Sequence, residues 1–189
     1  MKNIILFASG NGTNAENICR YFKNDPEIKV AALFCNNPDA KVIERMKPFG
    51  IPVHLFTKKE LNDEKIFLPL IQKYEPSLIV LAGFLLLVPS YLIKLFPKKI
   101  INIHPALLPK FGGKGMHGHH VHEAVLAAGE HVHGITIHVV NEKYDEGKIL
   151  FQEFFLIEKN DNLESVSKKI SELELNYFPE VIKNYLMEE

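Results

Sequence analysis

The chain has 189 residues, 47% hydrophobic and 24% charged, the balance of a globular protein with its own core rather than a disordered or fibrous chain. Its 22 Lys plus Arg nearly cancel 23 Asp plus Glu, and a formal charge of -1 argues against a general nucleic-acid binder, which needs a basic face for phosphates. Two cysteines in apolar settings, Cys19 and Cys35, argue against a disulfide framework, and the apolar run in MKNIILFASG is too short to span a membrane, so a protein of the reducing cytoplasm is expected.

Residues 3–8 (NIILFA) and 30–35 (VAALFC) are unbroken apolar runs, as strands covered on both faces are. Between them Ala15, Ile18, Cys19 and Phe22 recur at helical spacing, completing a β-α-β unit. The next helix is expected over 39–49, through Val42, Ile43 and Met46, with Gly50 placed to end it. Thr57 and Glu60 have the spacing of a capping box and open a helix predicted to run toward Tyr74, with a kink or a late start at Pro69, which lacks an N–H. Residues 78–82 (LIVLA) read as a buried strand, 90–96 as a short helix opened by Pro89, and 99–104 (KIINIH) as a strand stopped by Pro105. The alternation in 134–140 (GITIHVV) predicts a strand with one less buried face. A last helix is expected from near Asp161, through Leu163, Val166, Ile170, Leu173 and Tyr177, a stripe of core packing. Strand-helix alternation without repeat or linker predicts α/β class. The expectation is one Rossmann-like domain over residues 1–189, a mostly parallel sheet with helices on both faces and some antiparallel pairing after residue 130.

Two segments carry chemistry. Ser9-Gly10-Asn11-Gly12-Thr13-Asn14-Ala15 lies between the first strand and the first helix, where glycines allow close backbone approach and the helix N-terminus offers free N–H groups to an anion. The pattern also fits a dinucleotide fingerprint, but that needs an acid at the tip of the second strand, and Phe34-Cys35-Asn36-Asn37 has none. A single phosphate fits better; a tight turn without ligand is the plainer alternative. Asn102 and His104 leave one face at the carboxyl end of a strand, an amide donor beside an imidazole, suited to a carbonyl oxygen that gathers charge. Asp145, in the polar loop 141–147, is expected to reach His104, raise its pKa and keep it charged. Without that carboxylate, Asn102 and His104 are only a polar pair at a strand end.

Eight of the nine histidines fall between residues 104 and 138. His119 with His122 and Glu123 has metal-ligand spacing on a helix, but solvated imidazoles are the expectation for His117, His119, His120 and His122. His138 is read as a structural histidine and the cysteines as small core residues.

SGNGTN after the first strand, LAGF at 81–84, NIHPALLPKF at 102–111 and HVVNEKYDEG at 138–147 together resemble the phosphoribosylglycinamide formyltransferases, in order and over the whole chain. The resemblance implies transfer of a formyl group from 10-formyltetrahydrofolate, the co-substrate, to the amine of phosphoribosylglycinamide in purine biosynthesis, with no metal required. It assigns catalysis to Asn102, His104 and Asp145, with Asn102 and a protonated His104 stabilising the oxyanion. It gives the substrate phosphate to Gly12, Thr13 and Asn14, the ribonucleotide to Glu174, and the folate to Leu85, Leu86, Leu87, Val88 and Asn102. It implies small-molecule substrates, no nucleic-acid or membrane partner, a monomer or weak homodimer, and a cytoplasmic location. Three departures stand out: Leu85-Leu86 where the family often has Met-Arg, no Arg around 61–65 for the folate tail, and a longer stretch, FGGKGMHGHHVHEAV, after Lys110. The alternatives are a formyltetrahydrofolate hydrolase, which shares the Asn, His and Asp but carries an added N-terminal regulatory domain, and a nucleotide-binding module or oxidoreductase. A methionyl-tRNA formyltransferase would need a further C-terminal RNA-binding domain.

Overall fold

The computed structural model describes residues 1–188. Five parallel strands, β1 (Lys2–Ala8), β2 (Ile28–Cys35), β3 (Val53–Leu55), β4 (Pro76–Leu81) and β5 (Ile100–His104), are extended by antiparallel β6 (Val132–Val139) and β7 (Ile149–Leu156) into one sheet ordered β3-β2-β1-β4-β5-β6-β7. Alternation along β1 explains its unbroken apolar run. Ile4 and Leu6 point to one face and Ile5 and Phe7 to the other, and helices bury both. On the first face lie α1 (Thr13–Tyr21), α2 (Val42–Met46) and the last helix, α7 (Leu163–Glu188). On the second lie α3 (Lys58–Leu61), α4 (Glu64–Gln72) and α5 (Ser90–Leu95). A small third cluster joins Val121 and Val125 of α6 (His119–Ala127) to Ala106.

Several elements differ from expectation. The helix expected over 39–49 is only α2 and a 3-10 turn, Lys47–Phe49, because Pro48 has no N–H to continue the α ladder. The Thr57–Glu60 capping box forms, yet the helix breaks at residues 62–63 rather than at Pro69. There the Asn62 amide donates to the Lys58 carbonyl and the Asp63 carboxylate accepts from Lys65 N–H to cap a new helix, so local side-chain bonds win over continuation. Strands β3 and β7 lack a signal strong enough to be foreseen. Residues 134–139 are buried on both faces, not one: α7 packs on one face, and the chain after β5 lies over Thr136 on the other. Helix α7 starts where expected, with Asn162 and Ser165 exchanging side-chain-to-backbone bonds, but runs past Tyr177 to Glu188. Among the described residues no helix is long and apolar enough to cross a membrane.

The order of the sheet places the site. The chain winds outward from β1 to β3, then returns to β4 on the other side of β1, so the loops after β1 and β4 leave in opposite directions and open a crevice at the carboxyl ends.

Candidate active site

A cavity of about 630 Å³ fills that crevice, walled by residues 11–14 after β1, 81–88 at the end of β4, 102–105 of β5, the 113–119 and 140–145 loops, and one face of α7. Gly12 turns into α1 at φ 77. A side chain here is barred twice, by that left-handed backbone and by Val42, whose Cα is 2.8 Å from where a Cβ would stand. Residues 12–14, which open α1, line the cavity, and the first turn of a helix leaves its N–H groups without partners inside the helix. Asn14 Nδ2 donates to Glu174 Oε2 at 2.9 Å, tying this turn to α7. Asn14 Oδ1 is buried with no partner among the described residues, an acceptor directed at nothing the protein supplies. Burial pushes the Glu174 carboxyl up to about 7, against the lowering effect of the Asn14 bond.

Ser9 braces the opposite wall. Its N–H donates to Gly83 O at 3.0 Å, and its hydroxyl accepts from Leu85 N–H at 3.0 Å while donating to Asn36 Oδ1 at 2.6 Å. Simple strand-end packing describes only part of 85–88: Val88 is buried and Leu86 half-buried, but Leu85 and Leu87 are 53% and 47% exposed.

The register of β5 against β6 sets Asn102 opposite His138 and His104 opposite Thr136. His138 Nδ1 faces Val139 O at 3.1 Å, which makes Nε2 an acceptor, and Asn102 Nδ2 donates to it at 3.1 Å. Asp145 reaches between the two rings, Oδ1 3.5 Å from His138 Nε2 and Oδ2 3.6 Å from His104 Nδ1. Gly113 N–H donates to Oδ2 at 2.9 Å, and His104 Nε2–H donates to Phe111 O at 2.8 Å. Thr136 locks the turn after β5: its hydroxyl donates to Ala106 O at 2.7 Å and accepts from Leu108 N–H at 3.0 Å and Gln152 Nε2 at 2.9 Å. Phe111 and Asp145 both have φ 54, strained for residues with side chains and held by these bonds.

The electrostatics correct one expectation. His104 has a pKa below the usual value: burial disfavours its charged form and outweighs Asp145 and the Phe111 bond, which act the other way. The ring is therefore neutral at pH 7. Burial pushes Asp145 up, but its imidazole neighbours His138 and His104 and the Gly113 N–H bond hold its carboxyl below the usual value, so it stays ionised.

Asn102, His104, Asp145, Gly12, Thr13, Asn14, Glu174 and Leu85 to Val88 thus all border one cavity. His138, read as structural, borders it too and touches both Asn102 and Asp145. Period-2 spacing from Thr136 put it on a strand face, but only the antiparallel register shows what it faces. The histidines divide. His122 is buried, its Nδ1 2.9 Å from Nε2 of buried His133, whose pKa burial and the His122 charge drive down to about 4. His117, His119 and His120 are exposed. Cys19 and Cys35 are buried and unpaired, and burial pushes the Cys19 thiol up to about 12, far from a nucleophile.

A formyl transferase family model matches residues 2–182. The chain is 39% identical to the phosphoribosylglycinamide formyltransferase of Bacillus subtilis, covering 98% of this chain and 95% of that protein. To the enzyme of that name from Escherichia coli it is 31% identical, over 95% of this chain and 85% of that one. The crystal structure of phosphoribosylglycinamide formyltransferase from Bacillus halodurans superposes with a TM-score of 0.88 at 35% identity, covering 98% of this chain and 95% of the other. Since the match runs through every segment that walls the cavity, the chain belongs to the formyl transferase family.

Proposed function

We propose that this protein transfers the formyl group of 10-formyltetrahydrofolate to the amine of phosphoribosylglycinamide, and that residues 1–189 act as one catalytic domain. One observation carries the reading: an anion-binding helix terminus, an apolar wall and the Asn102–His104–Asp145 group share a single cavity. The donors fit both substrates. N–H groups at residues 12–14 and the helix dipole suit a phosphate, while the unpartnered Asn14 Oδ1 and Glu174 suit hydroxyl and amide donors of a ribonucleotide. Leu85 and Leu87, open to the cavity, suit the flat ring of a folate, which supplies the one-carbon electrophile, so the reaction needs no metal.

Asn102 spends one amide N–H on His138 and keeps the other for the formyl oxygen as charge gathers there. His104 keeps Nε2–H on Phe111 O, and a 3.6 Å separation from Asp145 is too long for a hydrogen bond, so Nδ1 retains its lone pair. That lone pair takes the proton released when the amine attacks, and Asp145 holds the imidazolium until the proton passes to the departing folate nitrogen. His104 is thus base first and acid second, in place of a ring charged from the start. Holding both substrates beside one another supplies much of the rate, up to ~7–11 kcal/mol of barrier. The near-zero net charge supports small-molecule substrates over nucleic acid or an anionic membrane, and a cytoplasmic monomer or weak homodimer completes the reading.

The test is to mix the protein with phosphoribosylglycinamide and a 10-formylfolate analogue and follow deformylated folate. Release that requires the amine is expected. Release without it would make the protein a hydrolase, and no release would refute the reading.

A further inference from the structure

The start of α6 holds a cluster that formyl transfer does not use. His119, His120 and Glu123 each offer one ligand atom, and these atoms lie within 4.8 Å of one another. Helical geometry gathers them: Glu123 is four residues after His119 and three after His120, so all face one side of the first turn. His120 Nδ1 is 3.4 Å from Glu123 Oε2, and the His119 and His120 rings are 4.2 Å apart. A further imidazole, His117, has its ring 5.7 Å from that of His120. Ligand atoms around a tetrahedral ion with bonds of ~2.0 Å stand roughly 3.3 Å apart, within reach of small rotations of exposed side chains.

We propose that His119, His120 and Glu123 bind one divalent transition-metal ion of the zinc class. Two imidazoles and a carboxylate favour Zn²⁺, Cu²⁺, Ni²⁺ and Co²⁺ over Mg²⁺ and Ca²⁺, which prefer all-oxygen shells. Three protein ligands leave one position open, and His117, its ring 5.7 Å from that of His120, is a side chain placed to fill it. The site stands at the mouth of the cavity, where His117 and His119 form part of the wall. It is distinct from the buried His122–His133 pair, whose facing nitrogens are occupied with each other.

The experiment titrates chelator-treated protein at pH 7.5 with Co²⁺, read by visible absorption, and with Zn²⁺, read by calorimetry. One equivalent is expected to bind, with Mg²⁺ unable to displace it. Glu123→Gln and His119→Ala each weaken binding by ~100-fold or more, since even outer-shell partners are worth 10–100-fold, whereas His131→Ala, an exposed histidine outside the cluster, leaves it unchanged. The substituted side chains are exposed, so the fold is not at stake, and circular dichroism checks this. Absence of binding, wild-type affinity in both cluster variants, or binding lost only in His122→Ala would overturn the proposal.

Discussion

A single methyl group at Gly147 probes the proposed chemistry through the backbone. A Cβ there falls on the Val139 carbonyl oxygen and stands 2.7 Å from the carbonyl carbon. Non-bonded carbons settle about 3.5–4.0 Å apart and the oxygen lies nearer still, so in Gly147→Ala the loop has to withdraw by at least about 1 Å. Local adjustment is blocked, because Val139 N–H donates to Lys148 O at 2.9 Å and Gly113 N–H holds Asp145 at 2.9 Å. Withdrawal therefore lengthens the 3.6 Å and 3.5 Å separations from Asp145 to His104 and His138. A 1 Å displacement of a catalytic group can cost ~10²-fold in rate. Steady-state kinetics should show kcat about 100-fold lower with KM for phosphoribosylglycinamide little changed, because residues 12–14 lie on the far wall. Loss of the Val139–Lys148 bond, worth about 0.5–1.5 kcal/mol, should lower Tm by a few degrees. Gly129→Ala, at the end of α6 where an added Cβ meets nothing within 4 Å, adds a methyl group without a clash and should leave kcat unchanged. A kcat equal to wild type alongside a lowered Tm would refute the reasoning: the loop would have moved without the chemistry noticing.

Other substitutions separate the remaining roles. His104→Ala should reduce kcat by at least ~10²-fold while calorimetry finds nucleotide affinity nearly intact, and equal losses of rate and binding would indicate a structural residue. Asp145→Asn removes a carboxylate that raises the His104 pKa, so NMR titration should find that pKa lower still; an unmoved titration would remove Asp145 from the proton path. Burial lowers His133 from 6.5 to about 4, so the folded state favours its neutral form. Its stabilising contribution is complete above pH 6.5 and is lost as pH falls toward 4, on the order of 3 kcal/mol at ~1.4 kcal/mol per pH unit. Denaturant melts of His133→Gln between pH 4 and 7 should be flatter than those of the wild type, and parallel curves would show that this ring does not set the slope.

Much of the molecule is legible in its sequence because the signals are local. The apolar run of β1 requires cover on both faces, since successive side chains point oppositely, and Ile4 and Ile5 do meet different helix layers. The Thr57–Glu60 cap and the glycine turn at Gly12 involve atoms within a few residues of one another, so spacing alone reveals them. The two-residue spacing of Asn102 and His104 likewise guarantees a shared face.

Tertiary structure decided the rest. His138 enters the site because β6 pairs with β5 in one register, and a slip of one residue would turn it to the other face. His122 turns inward with Val121 and Val125 while His119 and His120 stay in solvent, a division made by what α6 packs against. His104 is neutral rather than charged because segments far apart in the chain strip water from it, and that desolvation exceeds the pull of one carboxylate. Periodicity and capping are properties of a few neighbouring residues; register and desolvation are set by contacts between distant ones, which exist only once the chain has folded.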